Sequence, residues 1–158
     1  MTACSPTEQA IAPIATCDLL PISEVSALLD REQPEMYGSL FELDGEGGAN
    51  RCTAGSGYDP NKLLVVITEA DRIEQNDREN YFSRCATVVP LPTDMDARGE
   101  TCIISDPTPF GSEHKLVAIW DDIAIGLHLV RERDVIDTDP ADLAAIADQM
   151  HSAVVERS

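Results

Sequence analysis

Lysine is the residue that this chain most clearly lacks. Only Lys62 and Lys115 occur among 158 residues, and 11 basic side chains stand against 29 acidic ones, so the formal net charge is -18. A surface this acidic is repelled by nucleic-acid phosphates and by anionic lipid headgroups, which argues against both as direct ligands. It suits a basic partner, divalent cations, or simple solubility at high ionic strength.

Motifs that carry familiar catalytic or metal chemistry are absent as well. No two cysteines have the spacing of about two to four residues that zinc ribbons and fingers use. No Gly-x-Ser-x-Gly turn presents a serine nucleophile, and the glycine-rich loop at 45–48 lacks the lysine of a phosphate loop. We therefore expect no cofactor, no metal and no enzymatic activity. A weak calcium site at 44–46 or 137–139 is the remaining metal alternative, although neither stretch has the ligand pattern of an EF-hand.

The five cysteines divide into one and four. Setting Cys4 aside leaves Cys17, Cys52, Cys85 and Cys102, the even number expected of two disulfides in an exported domain. Four cysteines allow three pairings. We favour Cys17–Cys52 and Cys85–Cys102, because each pair joins neighbours along the chain and leaves no crossed loops. A catalytic thiol is the alternative, but no nucleophile motif surrounds any of the four.

The odd cysteine, Cys4, lies in the sequence Thr-Ala-Cys-Ser, which looks like the processing site of a bacterial lipoprotein. In such a site, small residues precede a cysteine whose sulfur receives a diacylglycerol chain. Met1 stands where leucine is usual, and an ordinary initiator methionine before an incidental cysteine is the alternative. We expect residues 1–16 to be a lipobox remnant and a flexible tether. The two acyl chains of a diacylglycerol anchor a protein stably in a membrane, whereas a single chain anchors it only marginally.

The rest of the chain, 17–158, is expected to form a single α+β domain. Apolar spacing predicts a short helix within 17–29 that has Glu24 in its first turn, and a second helix over 69–84. A last helix begins at Asp139-Pro140, a good N-cap followed by a residue suited to the first helical position. Alternating or β-branched runs predict strands at 37–43, 51–56, 62–68, 100–105, 115–120 and 123–131, the last two forming a hairpin. This order suits an antiparallel sheet with helices packed on one face.

Several short motifs resemble one known group. They are Cys-Asp-Leu-Leu at 17–20, Glu-Val-Ser-Ala-Leu-Leu at 24–29, the glycine-rich loop, Cys52 in a strand, and the closing helix after Asp139-Pro140. The pattern resembles an uncharacterised domain of small exported lipoproteins of actinobacteria, over most of 17–157. Thr53 follows Cys52 where that group commonly has an aromatic residue. The resemblance implies a disulfide-bonded envelope lipoprotein without an established chemical activity.

These features lead us to expect a membrane-anchored extracytoplasmic lipoprotein that acts by protein–protein contact. It would be an accessory subunit of a cell-envelope membrane complex or an immunity-type binder, and its partner an envelope or membrane protein with a basic surface. The expected contact residues are Trp120, Asp121 and Asp122 at the hairpin tip, with Glu46 in the glycine-rich loop. An exposed tryptophan can anchor an interface toward which acidic neighbours steer a basic partner. The alternative places Trp120 in the core.

Two other classes of function stay open. A small-ligand-binding or sensor domain would show an apolar cavity on which polar groups converge. A cell-envelope hydrolase ranks last, and it would need a histidine–carboxylate pair with a perturbed pKa in a cleft.

Overall fold

The computed structural model describes residues 14–43, 50–57, 59–76, 78–108, 111–131 and 139–157. In these ranges the strands are β1 (Met36–Gly38), β2 (Asn50–Ala54), β3 (Asn61–Glu69), β4 (Thr87–Pro90), β5 (Arg98–Thr108), β6 (Gly111–Ile119) and β7 (Ile123–Arg131). The helices are α1 (Ile22–Leu29), α2 (Ala70–Asn76), α3 (Arg78–Tyr81) and α4 (Pro140–Glu156), and a 3₁₀ helix covers Thr16–Leu19.

The strands form one antiparallel sheet in the order β1-β2-β3-β7-β6-β5-β4. β7 is the middle strand, with β3 on one side and β6 on the other. The expected hairpin is confirmed, because Asp121 and Asp122 connect β6 to β7 and the Trp120 N–H donates to the Ile123 carbonyl at 2.9 Å. The α+β class with an antiparallel sheet is therefore confirmed.

The main core lies on what we call the inner face of the sheet. Alternate side chains of β7, namely Ile125, Leu127 and Leu129, are fully buried there. α4 covers them with the stripe that its spacing predicted: Leu143, Ile146, Ala147, Met150 and Val154. The side chain of Asp139 accepts a hydrogen bond from the Ala141 N–H at 3.0 Å, so the predicted N-cap is also confirmed.

The opposite side of the sheet, the outer face, carries helices too. Ile73 of α2 packs with Val117, Ile119 and Ala124, and Tyr81 of α3 packs against this second cluster. The expectation of helices on one face therefore holds for α1 and α4 but not for α2 and α3. The physical reason is that some outer-face positions of β6 and β7 are apolar, and covering them removes that area from water.

Three predicted elements differ in extent. Within the single helix expected over 69–84, the structure describes α2 and α3, and the helical residues end at Tyr81. The strand expected over 37–43 is reduced to β1, beyond which Leu40 forms an isolated bridge with Ala15. The stretch 87–90, for which the sequence predicted no strand, forms β4. This strand lies at the edge of the sheet, where proline is tolerated.

Both expected disulfides are present. Cys17–Cys52 joins the 3₁₀ helix to β2, and Cys85–Cys102 joins the segment after α3 to β5. The Cα separations, 5.1 Å and 5.6 Å, lie in the usual range for a disulfide.

The N-terminal segment joins the fold earlier than expected. The Phe41 N–H donates to the Ile14 carbonyl at 2.8 Å, and the Thr16 N–H donates to the Ser39 carbonyl at 2.9 Å. Thr16 is fully buried. Residues 14–16, which were expected in the tether, therefore belong to the domain. Of the helices in the described ranges, none is both long enough and apolar enough to span a membrane.

Candidate functional site

A groove of about 410 Å³ opens on the outer face, between the sheet and the helices α2 and α3; we call it the outer-face groove. Its floor is Val66, Gly126 and Val117, which pair with one another across β3, β7 and β6 and so lie in one row on one face. Ile73 and Tyr81 form its wall. Gly126 leaves the middle of the floor without a side chain, a usual role of glycine inside a strand.

Tyr81 is fixed firmly at this wall. Its hydroxyl donates to the Leu127 carbonyl at 2.9 Å, and its ring meets the Phe82 ring edge-to-face at 5.3 Å. Burial raises the pKa of Tyr81 far above its ordinary value, so the phenol stays neutral at physiological pH. A Cβ added at Gly126 would lie 3.5 Å from the Tyr81 hydroxyl oxygen, which is ordinary van der Waals contact. The absent side chain therefore leaves room beside a rigid ring.

Among the residues that the structure describes, two cations and no carboxylate line the outer-face groove. Lys115 is half-buried, and its Nζ donates to the Tyr81 carbonyl at 3.2 Å while lying 5.2 Å from the centre of the Tyr81 ring. Arg51 is exposed at the other side of the floor, on β2 next to Val66. In the part of the chain that the structure describes, neither cation forms an ion pair with a carboxylate. In so acidic a protein this is an unusual local balance of charge.

Thr68 also lines the outer-face groove, and its hydroxyl oxygen is buried. Among the described residues this oxygen has no hydrogen-bond partner. A buried hydroxyl without a partner costs about 1–3 kcal/mol. A polar atom of a ligand could remove that cost if rotation about the Cα–Cβ bond of Thr68 turned the hydroxyl toward the groove.

A histidine–carboxylate pair lies beside the outer-face groove. Nε2–H of His128 donates to Oε2 of Glu113 at 3.2 Å, and His128 pairs across the strands with Lys115. Burial lowers the pKa of His128 more than the nearby Glu113 carboxylate raises it. Within the described ranges the His128 ring hydrogen-bonds only to Glu113, so this pair activates no serine, threonine or cysteine there. The pair alone therefore does not make a hydrolytic site.

The hairpin tip differs from its predicted form at Trp120. The Trp120 side chain is only 6% exposed, and its ring stacks on His151 of α4 with centroids 4.2 Å apart and planes inclined by 4°. Trp120 therefore packs in the core and is not the exposed interface anchor that was expected. The physical reason is that α4 returns across the inner face and covers the tip of the hairpin.

The two aspartates of the tip are exposed, as an electrostatic contact would require. Nε2–H of His151 donates to Oδ1 of Asp122 at 3.0 Å. Partial burial raises the pKa of Asp122, but the hydrogen bonds from His151 and from the backbone outweigh it and hold this pKa below its ordinary value. A cleft of about 370 Å³ beside the tip includes Asp96 and Arg98. The tip thus presents acidic side chains at the surface.

Two expected site residues, Cys4 and Glu46, lie outside the described residues. The alternative calcium loops, 44–46 and 137–139, lie mostly outside them too. In the ranges that are described, no group of three histidine, cysteine or acidic side chains could hold a metal ion.

The residues of the outer-face groove were not identified as a site from the sequence. Two signals were available: Lys115 is one of two lysines, and Gly126 interrupts an apolar strand. Bringing them together with Arg51 and Val66 required the pairing of β3 with β7, two strands that are far apart in the chain.

Comparison of the chain with protein-family models, with curated proteins and with solved structures gives no match. The case for a function therefore depends on the geometry of the domain itself.

Proposed function

We propose that this protein is an extracytoplasmic, lipid-anchored binding protein that takes up a small and largely apolar molecule in the outer-face groove. It acts by binding, not by catalysis. Lipid attachment at Cys4 would hold the domain near the membrane. The domain would then deliver the bound molecule to an envelope protein, or signal its presence to that protein.

The disulfides support the extracytoplasmic part of this proposal. All four cysteines of the described ranges are bridged, and such bonds persist mainly in oxidising compartments. With a signal sequence placed ahead of it, the protein should partition with membranes, and Cys4→Ser should release it or stall its processing. Equal solubility of the wild type and this variant would contradict lipid anchoring.

The observation that carries the binding proposal is the outer-face groove. Its floor is apolar, and polar or charged residues line it as well: Arg51, Thr68, Asn80 and Lys115. Ligand sites typically combine apolar walls with a few placed polar groups, at volumes of about 300–1,000 Å³. The volume here falls within that range.

The test fills the outer-face groove. Val66→Trp puts a large ring over the floor, whereas Leu64→Trp puts the same ring two residues away on the same strand and face, outside the groove. Both positions are partly exposed, so both variants should fold. The neutral dye N-phenyl-1-naphthylamine should fluoresce with the wild type and with Leu64→Trp but not with Val66→Trp. Failure of the wild type to bind the dye, or equal binding by Val66→Trp, would refute the proposal.

A second candidate function is contact with a basic envelope protein through the hairpin tip. The exposed side chains of Asp121 and Asp122 favour it, with Glu46 as a further expected contact. Asp121→Asn should weaken capture of such a partner from membranes at low salt and have less effect at high salt, where exposed charges are screened. Capture that is unchanged at every salt concentration would place the contact elsewhere.

A further inference from the structure

We propose that the ligand of the outer-face groove is an amphiphilic organic anion, with a carboxylate on an apolar body. This inference rests on the proposed binding of a small molecule in that groove. It adds which chemical group the ligand must carry and where that group lies.

The charge of the outer-face groove runs against that of the whole protein. Of the described residues that line it, the only charged ones are the cations Arg51 and Lys115. Three other clefts are each lined by acidic residues, for example Asp59 in one and Glu69 in another. Among the described residues, acidic side chains line those three clefts and do not line this groove. An anion is therefore attracted here and repelled from most of the remaining surface.

Lys115 provides the better-prepared of the two cationic sites. Its Nζ is held by the Tyr81 carbonyl and the ring face, which leaves further N–H donors free for a ligand. It is half-buried, with His128 and Cys102 beside it on the neighbouring strands, and no carboxylate of the described ranges forms an ion pair with it. A partly buried charge without a counter-ion is poorly solvated. A carboxylate placed on Lys115 would supply the missing counter-ion through a charge-assisted hydrogen bond.

The apolar body of the ligand would follow the floor of the groove. Arg51 and Lys115 stand on β2 and β6, which are three strand spacings apart, or about 14 Å at roughly 4.8 Å each. Val66, Gly126 and Val117 fill the interval, and none of them is polar. With its carboxylate at Lys115, the ligand would cross Gly126 toward Arg51, whose exposed charge adds attraction from the far end.

Octanoate and 1-octanol are a matched pair of probes, because they share the same chain length and differ in the charged group. In an NMR titration of the folded protein, octanoate should shift the backbone amides of Val66, Gly126 and Val117 and bind at least about tenfold more tightly than 1-octanol. Lys115→Gln should weaken octanoate by about three- to tenfold, with a smaller loss for Arg51→Gln. Lys62→Gln is the control, since Lys62 lies on the same face of β3 but outside the groove.

Each result separates the two proposals. Equal affinity for the two probes, both at these amides, would overturn the anionic ligand but keep the binding groove. Octanoate binding that Lys115→Gln leaves unchanged would also overturn this inference. Absence of both probes from the groove would refute the proposed function itself. Loss of octanoate in Lys115→Gln with 1-octanol unaffected, and no change in Lys62→Gln, would establish the charge requirement.

Discussion

Replacing Trp120 with alanine is the sharpest test of the hairpin tip. The side chain is 6% exposed and stacks on His151, so the substitution removes a buried ring from the core. A buried aromatic side chain covers about 150–250 Å², which at about 25 cal/mol per Å² corresponds to about 4–6 kcal/mol. This is an upper figure, because the unfolded chain already hides part of that area.

Measured losses for such truncations are about 3–5 kcal/mol, so we expect the free energy of unfolding to fall by about 4 kcal/mol. For a domain of this size the melting temperature should fall by about 8–16 °C. Part of the loss belongs to the stacked pair. A double-mutant cycle of Trp120→Ala with His151→Ala should therefore give a coupling of about 0.5–1.5 kcal/mol.

Urea denaturation followed by far-ultraviolet circular dichroism measures this loss without depending on tryptophan fluorescence. Asp121→Ala is the matched control, because it is the neighbouring residue at the same tip and its side chain is exposed. That variant should stay within about 0.5 kcal/mol of the wild type. A loss below about 1 kcal/mol for Trp120→Ala would refute the buried position and restore the exposed anchor.

Three further changes test other parts of the structure. On the chain-entropy model, replacing Cys17 and Cys52 with alanine should lower the free energy of unfolding by about 4 kcal/mol. Replacing the other pair should lower it by about 3 kcal/mol, because that disulfide closes a shorter loop. Urea denaturation measures both losses, and the reverse order would contradict the model. Thr68→Val removes a buried hydroxyl that has no partner among the described residues. The free energy of unfolding should therefore stay the same or rise by up to about 1 kcal/mol. A clear fall in the free energy of unfolding would contradict this and show that the hydroxyl has a partner. Burial lowers the pKa of His128 in the native state, so the unfolded chain binds the proton of this histidine first as pH falls. The free energy of unfolding should therefore decline below about pH 6.5. His128→Gln should reduce that decline in denaturation curves measured between about pH 7 and 5. An unchanged pH profile in His128→Gln would contradict this assignment.

Elements whose cause is local could be predicted from the sequence. The β6–β7 hairpin follows from two apolar strands separated by Asp121-Asp122, and α4 follows from its N-cap and its regular apolar stripe. The disulfides were predicted correctly because each pair joins cysteines that are neighbours along the chain. In the hairpin and the helix the interacting residues lie close in sequence, so composition and spacing carry the information. For the disulfides, the order of the four cysteines along the chain was enough.

The candidate site could not be predicted in this way, because its residues come from distant segments. Arg51 and Lys115 share one groove only because β3 pairs with β7, and no local pattern specifies which strands become neighbours. The burial of Trp120 likewise depends on α4, which follows the hairpin and packs back over its tip. By itself the sequence determined the helices, strands and covalent links that nearby residues impose. Only the tertiary structure decided which side chains met, since sheet order and burial arise from contacts across the whole chain.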